Sequence, residues 1–349
     1  MKNIISIFLL VFSLTIYSQN EKMEIQEYKY IVDSIYSTNI KDYRTVKVYL
    51  PTDYSEKQKY PIIFSLDGEW MFEPTVSESK ILMDFDVIPK SIIVGVFHKN
   101  RNEDLGINWK TGEFEKNSMN FYNFLEQELI PKINSTYSSS GFNILVGHSN
   151  SATFSAKVLT QKGQPFQGFI ALSQNLFGNQ LQEYIKFTKE TFNNIIFYFV
   201  ASGKRDATPR IESGMKLDSL FKINQNKNFR TQHSLYDADH SGIAGKGLNN
   251  GISYIFSEYK HYNDWNDKLI DSLLAKNISS INFINKHSKK MKDIYGIDFK
   301  VNQDDLSLMQ AMTQNDNDIK AVQDYEIEHF GKSKDFYATY AQFYEYSKS

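Results

Sequence analysis

Phe142-Asn143-Ile144-Leu145-Val146-Gly147-His148-Ser149-Asn150-Ser151 is the stretch that decides the fold. Its apolar part, Phe142 to Val146, reads as a strand, and Ala152 to Leu159 reads as a helix. Gly147 and Ser151 are small, so the two can meet in a sharp turn without side-chain clash. Such a turn lifts the Ser149 hydroxyl above the end of a sheet, where a carbonyl group can reach it. The backbone N–H of Asn150 is then placed to meet a developing oxyanion. Gly-x-Ser-x-small also arises by chance, and the plainer role for Ser149 is an ordinary helix cap. The sharper reading therefore requires an acid, a histidine and a second oxyanion donor elsewhere in the chain.

Outward from this turn, further apolar runs recur. Tyr28 to Tyr36 and Thr45 to Leu50 read as strands rich in Val, Ile and Tyr. Pro61 to Leu66 is a continuous apolar strand that ends in Asp67-Gly68, a turn signal. Ser91 to Phe97, Gly168 to Leu172 and Ile195 to Ala201 follow. Unbroken apolar strands suit a sheet covered on both faces. Helix-period segments lie between them, such as Phe121 to Ile130, expected to end at Pro131. This alternation predicts an α/β fold with a mostly parallel, doubly wound sheet.

The missing partners have positional candidates. The strand ending at Ala201 runs into Ser202-Gly203-Lys204-Arg205-Asp206, which makes Asp206 the candidate acid. Turn capping is its plainer role, and Glu212 is less well placed. Of 7 His, His240 lies in the polar loop Asp237-Ala238-Asp239-His240-Ser241-Gly242 and is the candidate base. His233 falls in a strand-like run, and His98 ends a strand and is expected to face substrate. The order Ser149, Asp206, His240 is nucleophile, acid, base. The loop Leu66-Asp67-Gly68-Glu69-Trp70 offers the second oxyanion donor through Gly68 or the N–H of Glu69. Trp70, Arg101 and His148 are candidate substrate-binding residues, although Trp70 serves core packing equally well.

Composition bounds the rest. Lys+Arg 39 against Asp+Glu 41 gives a net charge of −2, with no basic excess to suggest a nucleic-acid partner. There is no Cys, which excludes disulfides, thiol catalysis and Cys-ligated zinc. No metal cluster, phosphate loop or dinucleotide fingerprint is present, so no cofactor is expected. Lys2, the apolar run Ile4 to Ile16 and the polar residues from Gln19 onward read as an export signal over residues 1–18. The run is short for a membrane span, so no stable insertion is expected once the signal is removed. The expected destination is the periplasm or the exterior.

Residues 19–257 then form the strand-bearing domain. Residues 258–349 form an all-helical extension, with helices expected over Trp265 to Leu274, Ile284 to Ile294, Leu306 to Thr313, Ile319 to Phe330 and Lys334 to Tyr346. The last two loosely resemble one tetratricopeptide unit. One such unit cannot bury its own apolar face, so it is expected to pack on the main domain or on a protein partner.

Val46 to Pro51, Phe64 to Glu69, Phe124 to Pro131 and Gly147 to Ser151 together resemble the landmarks of the putative-esterase branch of the α/β-hydrolases. That branch includes siderophore, feruloyl and acetyl-xylan esterases. Asn100-Arg101-Asn102-Glu103-Asp104 resembles its Asn-x-Arg-x-x-Asp loop beside the cleft. The resemblance implies a Ser-His-Asp mechanism through an acyl-enzyme. It also implies small-molecule, carbohydrate or siderophore esters as substrates. One departure stands out: Ser151 and Ala152 replace the two glycines of Gly-His-Ser-x-Gly-Gly. Two other readings stay open at this point. One is a non-catalytic binding or assembly protein on this scaffold, and the other is acyl transfer by the same three residues.

Overall fold

The computed structural model describes residues 30–262, 267–332, 336–338, 340 and 341. The expected signal over residues 1–18, the start of the first strand at Tyr28 and the helix start at Trp265 lie outside the described residues, as does much of the last expected helix. Eight strands form one sheet: β1 (Tyr30–Ser37), β2 (Asp42–Tyr49), β3 (Tyr60–Ser65), β4 (Ile92–Val96), β5 (Ser139–His148), β6 (Gly168–Leu172), β7 (Ile196–Gly203) and β8 (Phe229–Tyr236). Their spatial order is β1-β2-β4-β3-β5-β6-β7-β8. β1 and β2 are antiparallel to their neighbours, and every pair from β4 to β8 is parallel. The helices joining them are α1 (Gly68–Asp84), α2 (Arg101–Asp104), α3 (Lys116–Phe124), α4 (Ile130–Thr136), α5 (Asn150–Leu159), α6 (Gln180–Phe187), α7 (Thr208–Ile223) and α8 (Gly242–Ile255). This is the α/β-hydrolase arrangement.

The inner strands β3, β4, β6 and β7 and the Phe142–His148 part of β5 are buried almost throughout because each feeds two cores. Side chains alternate across a strand. Leu145 of β5 and Tyr198 of β7 join Phe121, Phe154 and Leu217 on one face. Ile144, Val146, Phe197 and Phe199 join Phe72, Leu248 and Ile252 on the other. β5 lies near the middle of the sheet, so the turn after it opens at the sheet's centre.

The helix expected to stop at Pro131 does not stop there. Residues Leu125–Leu129 form a π-turn, and α4 starts immediately after it with Pro131 in its first turn. Proline is tolerated there because its missing N–H would have no helical partner in any case.

After α8 the chain is helical: α9 (Asp267–Ala275), α10 (Ser280–Tyr295), α11 (Gln303–Ala311) and α12 (Asp316–Phe330). Phe336 and Tyr340 pack with Ile319 of α12. α10 joins the core of the main sheet. Tyr295 is fully buried, 5.0 Å from the Phe142 ring and 5.3 Å from that of Phe256. Its hydroxyl donates to the Ile255 carbonyl at 3.0 Å. Gly296 has φ 69°, and a Cβ there would sit 2.3 Å from the Ser140 carbonyl oxygen, so a side chain would lift α10 off the sheet. None of the described helices is long and apolar enough to cross a membrane.

Glu258 joins the two regions by accepting from Arg230 of β8 and Lys290 of α10. Burial pushes its carboxyl upward, but the hydrogen bonds from Lys290 and Arg230 outweigh burial and hold it below the usual range. A depressed folded-state value contributes stability above the unfolded value, about 4.3, and loses it as pH falls through the folded value. Glu258→Gln is therefore expected to lower Tm by about 2–4 °C near neutral pH. The gap to the parent should close below about pH 4, measured by thermal melts across pH.

Candidate active site

The turn after β5 holds Ser149 at φ 64° and ψ −120°. A non-glycine residue costs about 1–3 kcal/mol in such a region and persists only where its surroundings hold it. Here the Ser149 N–H donates to Leu172 O at 2.9 Å, and Thr153 N–H donates to Ser149 O at 3.0 Å. Gly147 permits the approach, since a Cβ there would lie 2.5 Å from the Ser151 backbone. The hydroxyl consequently stands at the carboxyl end of the sheet.

The loops after β7 and β8 lie against one another. Arg205 N–H donates to Ala238 O at 2.9 Å, and a Cβ on Gly203 would meet that same oxygen at 2.5 Å. This contact brings Asp206 and His240 together. His240 Nδ1 lies 3.0 Å from Asp206 Oδ1, and His240 Nε2 lies 2.9 Å from Ser149 Oγ. Nδ1–H donating to the carboxylate leaves Nε2 as acceptor for the serine proton. The Asp206 side chain is 1% exposed and that of His240 is 40% exposed. Burial alone would raise the Asp206 carboxyl. Hydrogen bonds from Ser173 and the Ala207 N–H, with the charge of His240, bring it below the usual carboxylate range.

Ser173 is a residue that sequence reasoning did not single out. It follows β6 at φ 61°. Its hydroxyl donates to Asp206 Oδ2 and lies 3.0 Å from His240 Nδ1. Nothing in Leu172-Ser173-Gln174 announces this, because the contact joins residues 67 positions apart.

His148 departs from its expected substrate-binding place. It is 4% exposed, and its Nε2 donates to the His240 carbonyl at 2.8 Å. Burial holds its pKa below the ordinary value. As the last residue of β5 it points into the floor beneath His240, where it steadies that loop. Trp70 meets its ring edge-on at 5.2 Å and is itself 43% exposed.

The candidate oxyanion donors are tied to the same turn. Asp67 adopts a left-handed conformation at φ 56° and is fully buried. Arg101 donates to both of its oxygens, at 2.5 and 2.9 Å, and to the His148 carbonyl at 3.2 Å. Ser151 Oγ accepts from His148 N–H at 2.7 Å and donates to Asp67 Oδ2 at 2.7 Å. His98, expected to face substrate, has a side chain only 2% exposed. It accepts from the Asp67 N–H at 3.3 Å through Nε2 and pairs with Asp104 at 3.0 Å through Nδ1. A strand-end ring is drawn inward here because the buried Arg44–Asp104 pair gives it a partner. The N–H groups of Gly68, Glu69 and Asn150 are the first amides of α1 and α5, which have no acceptor inside their helices.

Ser151, where the family pattern has glycine, thus carries a hydroxyl that links the turn after β5 to Asp67. Ser151→Ala is expected to lower kcat about tenfold with little change in KM, measured by steady-state ester hydrolysis. Two buried hydrogen bonds are lost, each worth about 1 kcal/mol, and Asp67 is left free to shift. Among the described residues no group of three or more His, Asp or Glu is placed to hold a metal ion.

The sequence profile of the family described as Putative esterase matches residues 37–275. The chain belongs to the Putative esterase family. Carboxylic-ester hydrolysis is therefore its reaction class. Solved structures with similar folds include an uncharacterised protein from Capnocytophaga ochracea, at TM-score 0.75 and 17% identity, covering 90% of this chain and 93% of that one. An IroE-like serine hydrolase from Shewanella oneidensis superposes at TM-score 0.66 and 20% identity, over 85% of this chain and 99% of that one. The siderophore hydrolase EstB from Aspergillus nidulans matches at TM-score 0.55 and 14% identity, over 66% and 95%. At these identities the likeness is one of fold. A search of curated protein sequences returns no significant match.

Proposed function

We propose that this esterase works through Ser149 as nucleophile, His240 as general base and Asp206 as the acid that orients it. The observation that carries the reading is the unbroken hydrogen-bonded line from Ser149 Oγ through His240 to Asp206, at 2.9 and 3.0 Å. His240 Nε2 takes the serine proton as Oγ attacks the ester carbonyl. The Asn150 N–H and an N–H of Gly68 or Glu69 hold the oxyanion, each typically worth about a hundred- to a thousandfold in rate. His240 then returns the proton to the leaving alcohol. Water, activated by the same ring, releases the acyl group.

Trp70 at the mouth supports a bulky acyl or alcohol portion, and the fold likeness to a siderophore hydrolase makes siderophore esters the first substrates to try. The N-terminal sequence supports export to the periplasm or beyond. The test is pre-steady-state hydrolysis of p-nitrophenyl acetate by the purified protein. A burst of one equivalent of p-nitrophenol before a slower steady phase is the expected trace. Release at the uncatalysed rate would defeat the proposal.

A further inference from the structure

Two guanidinium groups bracket the candidate nucleophile. Arg101 donates to the carbonyl of His148, the residue before Ser149. Arg210, in the first turn of α7, donates to Asn150 Oδ1 at 3.2 Å, the residue after Ser149, and also to the Ser173 carbonyl. The two differ in charge balance. Arg101 is neutralised by the buried carboxylate of Asp67. Arg210 meets only neutral oxygens and has no carboxylate partner among the described residues. The carboxylate nearest in effect is Asp206, already engaged by Ser173, Ala207 and His240. Arg205, also at this opening, is paired with Asp237. Asp239 is there too, exposed and accepting from the Gly242 N–H at 2.8 Å.

A half-buried guanidinium held by carbonyl oxygens alone bears a desolvation cost that an anion would offset. Its planar fork has five donors, and the contacts to Asn150 and Ser173 leave others free for a ligand. Arg210 and Arg205 line an opening of about 460 Å³ that also contains His240 and Asp206, so a group bound there lies beside the scissile ester.

We propose that Arg210 forms an anionic subsite, so that this esterase prefers esters carrying a carboxylate or similar anionic group beside the scissile bond. This rests on the reading of Ser149 as nucleophile. Arg210 acts here as a specificity residue, since it touches the substrate's anion and not the reacting carbonyl.

The test compares mono-p-nitrophenyl glutarate with p-nitrophenyl pentanoate, which match in length and differ in charge. The parent enzyme is expected to show a kcat/KM ratio of at least about ten in favour of the anionic ester, falling as salt rises. Arg210→Gln should lower that ratio about tenfold or more, while Arg210→Lys keeps the charge and most of the ratio. Free glutarate should inhibit the parent competitively and Arg210→Gln at least several-fold more weakly, a readout independent of turnover. A parent ratio near one would overturn the subsite. So would an equal loss on both esters in Arg210→Gln, which would leave Arg210 only a positioning role at Asn150 and Ser173. Failure of the parent to hydrolyse either ester would instead defeat the nucleophile assignment, and the subsite with it.

Discussion

Replacing Ser149 with alanine is expected to lower kcat for ester hydrolysis by about four to six orders of magnitude. The substitution removes one oxygen and leaves the rest of the site in place. His240 keeps Asp206 at 3.0 Å, His148 keeps its bond to the His240 carbonyl, and the backbone bonds at Leu172 and Thr153 are unaffected. Alanine at φ 64° bears the same backbone strain as serine, so Tm should move little. A large loss of rate with an unchanged melt separates loss of a nucleophile from loss of a fold. Residual activity reflects substrate binding and the oxyanion amides alone. Because the three residues act as a unit, adding a second triad substitution to Ser149→Ala should cost almost nothing more.

Asp206→Asn is expected to cost about three to four orders of magnitude in kcat. An amide has the carboxylate's shape but not its charge. It cannot stabilise the imidazolium formed as His240 takes the serine proton, and its NH2 group can force the ring into the wrong tautomer. Ser173 should soften the effect. Its hydroxyl already lies 3.0 Å from His240 Nδ1 and can accept the ring proton when the amide does not. The loss should therefore fall short of that for Ser149→Ala. Stability gives a second readout. The Asp206 carboxyl is raised by burial but held net below its usual range by Ser173, Ala207 and His240. A group depressed in the folded state contributes stability above its unfolded value, about 3.9, and loses it as pH falls through the folded value. Asp206→Asn should therefore melt below the parent at neutral pH and converge with it below about pH 4.

The fold was legible because its evidence is local. Runs such as Ile62-Ile63-Phe64 and Ile144-Leu145-Val146 are apolar at every position, which only a sheet covered on both faces requires. The turn at Ser149 was legible through its small flanking residues. The loops carrying Asp206 and His240 were legible as polar punctuation after strands. The rest depended on contacts between distant positions. Asp67 read as half of a turn signal, yet its side chain anchors Arg101 and Ser151 from 34 and 84 residues away. Ser151 read as a departure from the family pattern, and its hydroxyl proved to have partners on both sides. Arg210 sat unnoticed in the first turn of α7, because only the fold brings that turn to Asn150. Pro131 misled because a proline inside a helical pattern usually ends the helix, and nothing in Leu125–Leu129 signals a π-turn. His148, a candidate for substrate binding, instead turns its ring under His240, a contact between residues 92 positions apart that no local pattern signals.

The central claim is that Ser149, His240 and Asp206 form one working unit at the carboxyl end of the sheet. Labelling with a fluorophosphonate, followed by intact-mass and peptide mass spectrometry, tests it most directly, because the reagent bonds only to an activated serine. One equivalent of label is expected, on the peptide containing Ser149, lost in Ser149→Ala and strongly slowed in His240→Ala. A folded protein that takes up no label, or that carries the label on another residue, would contradict it.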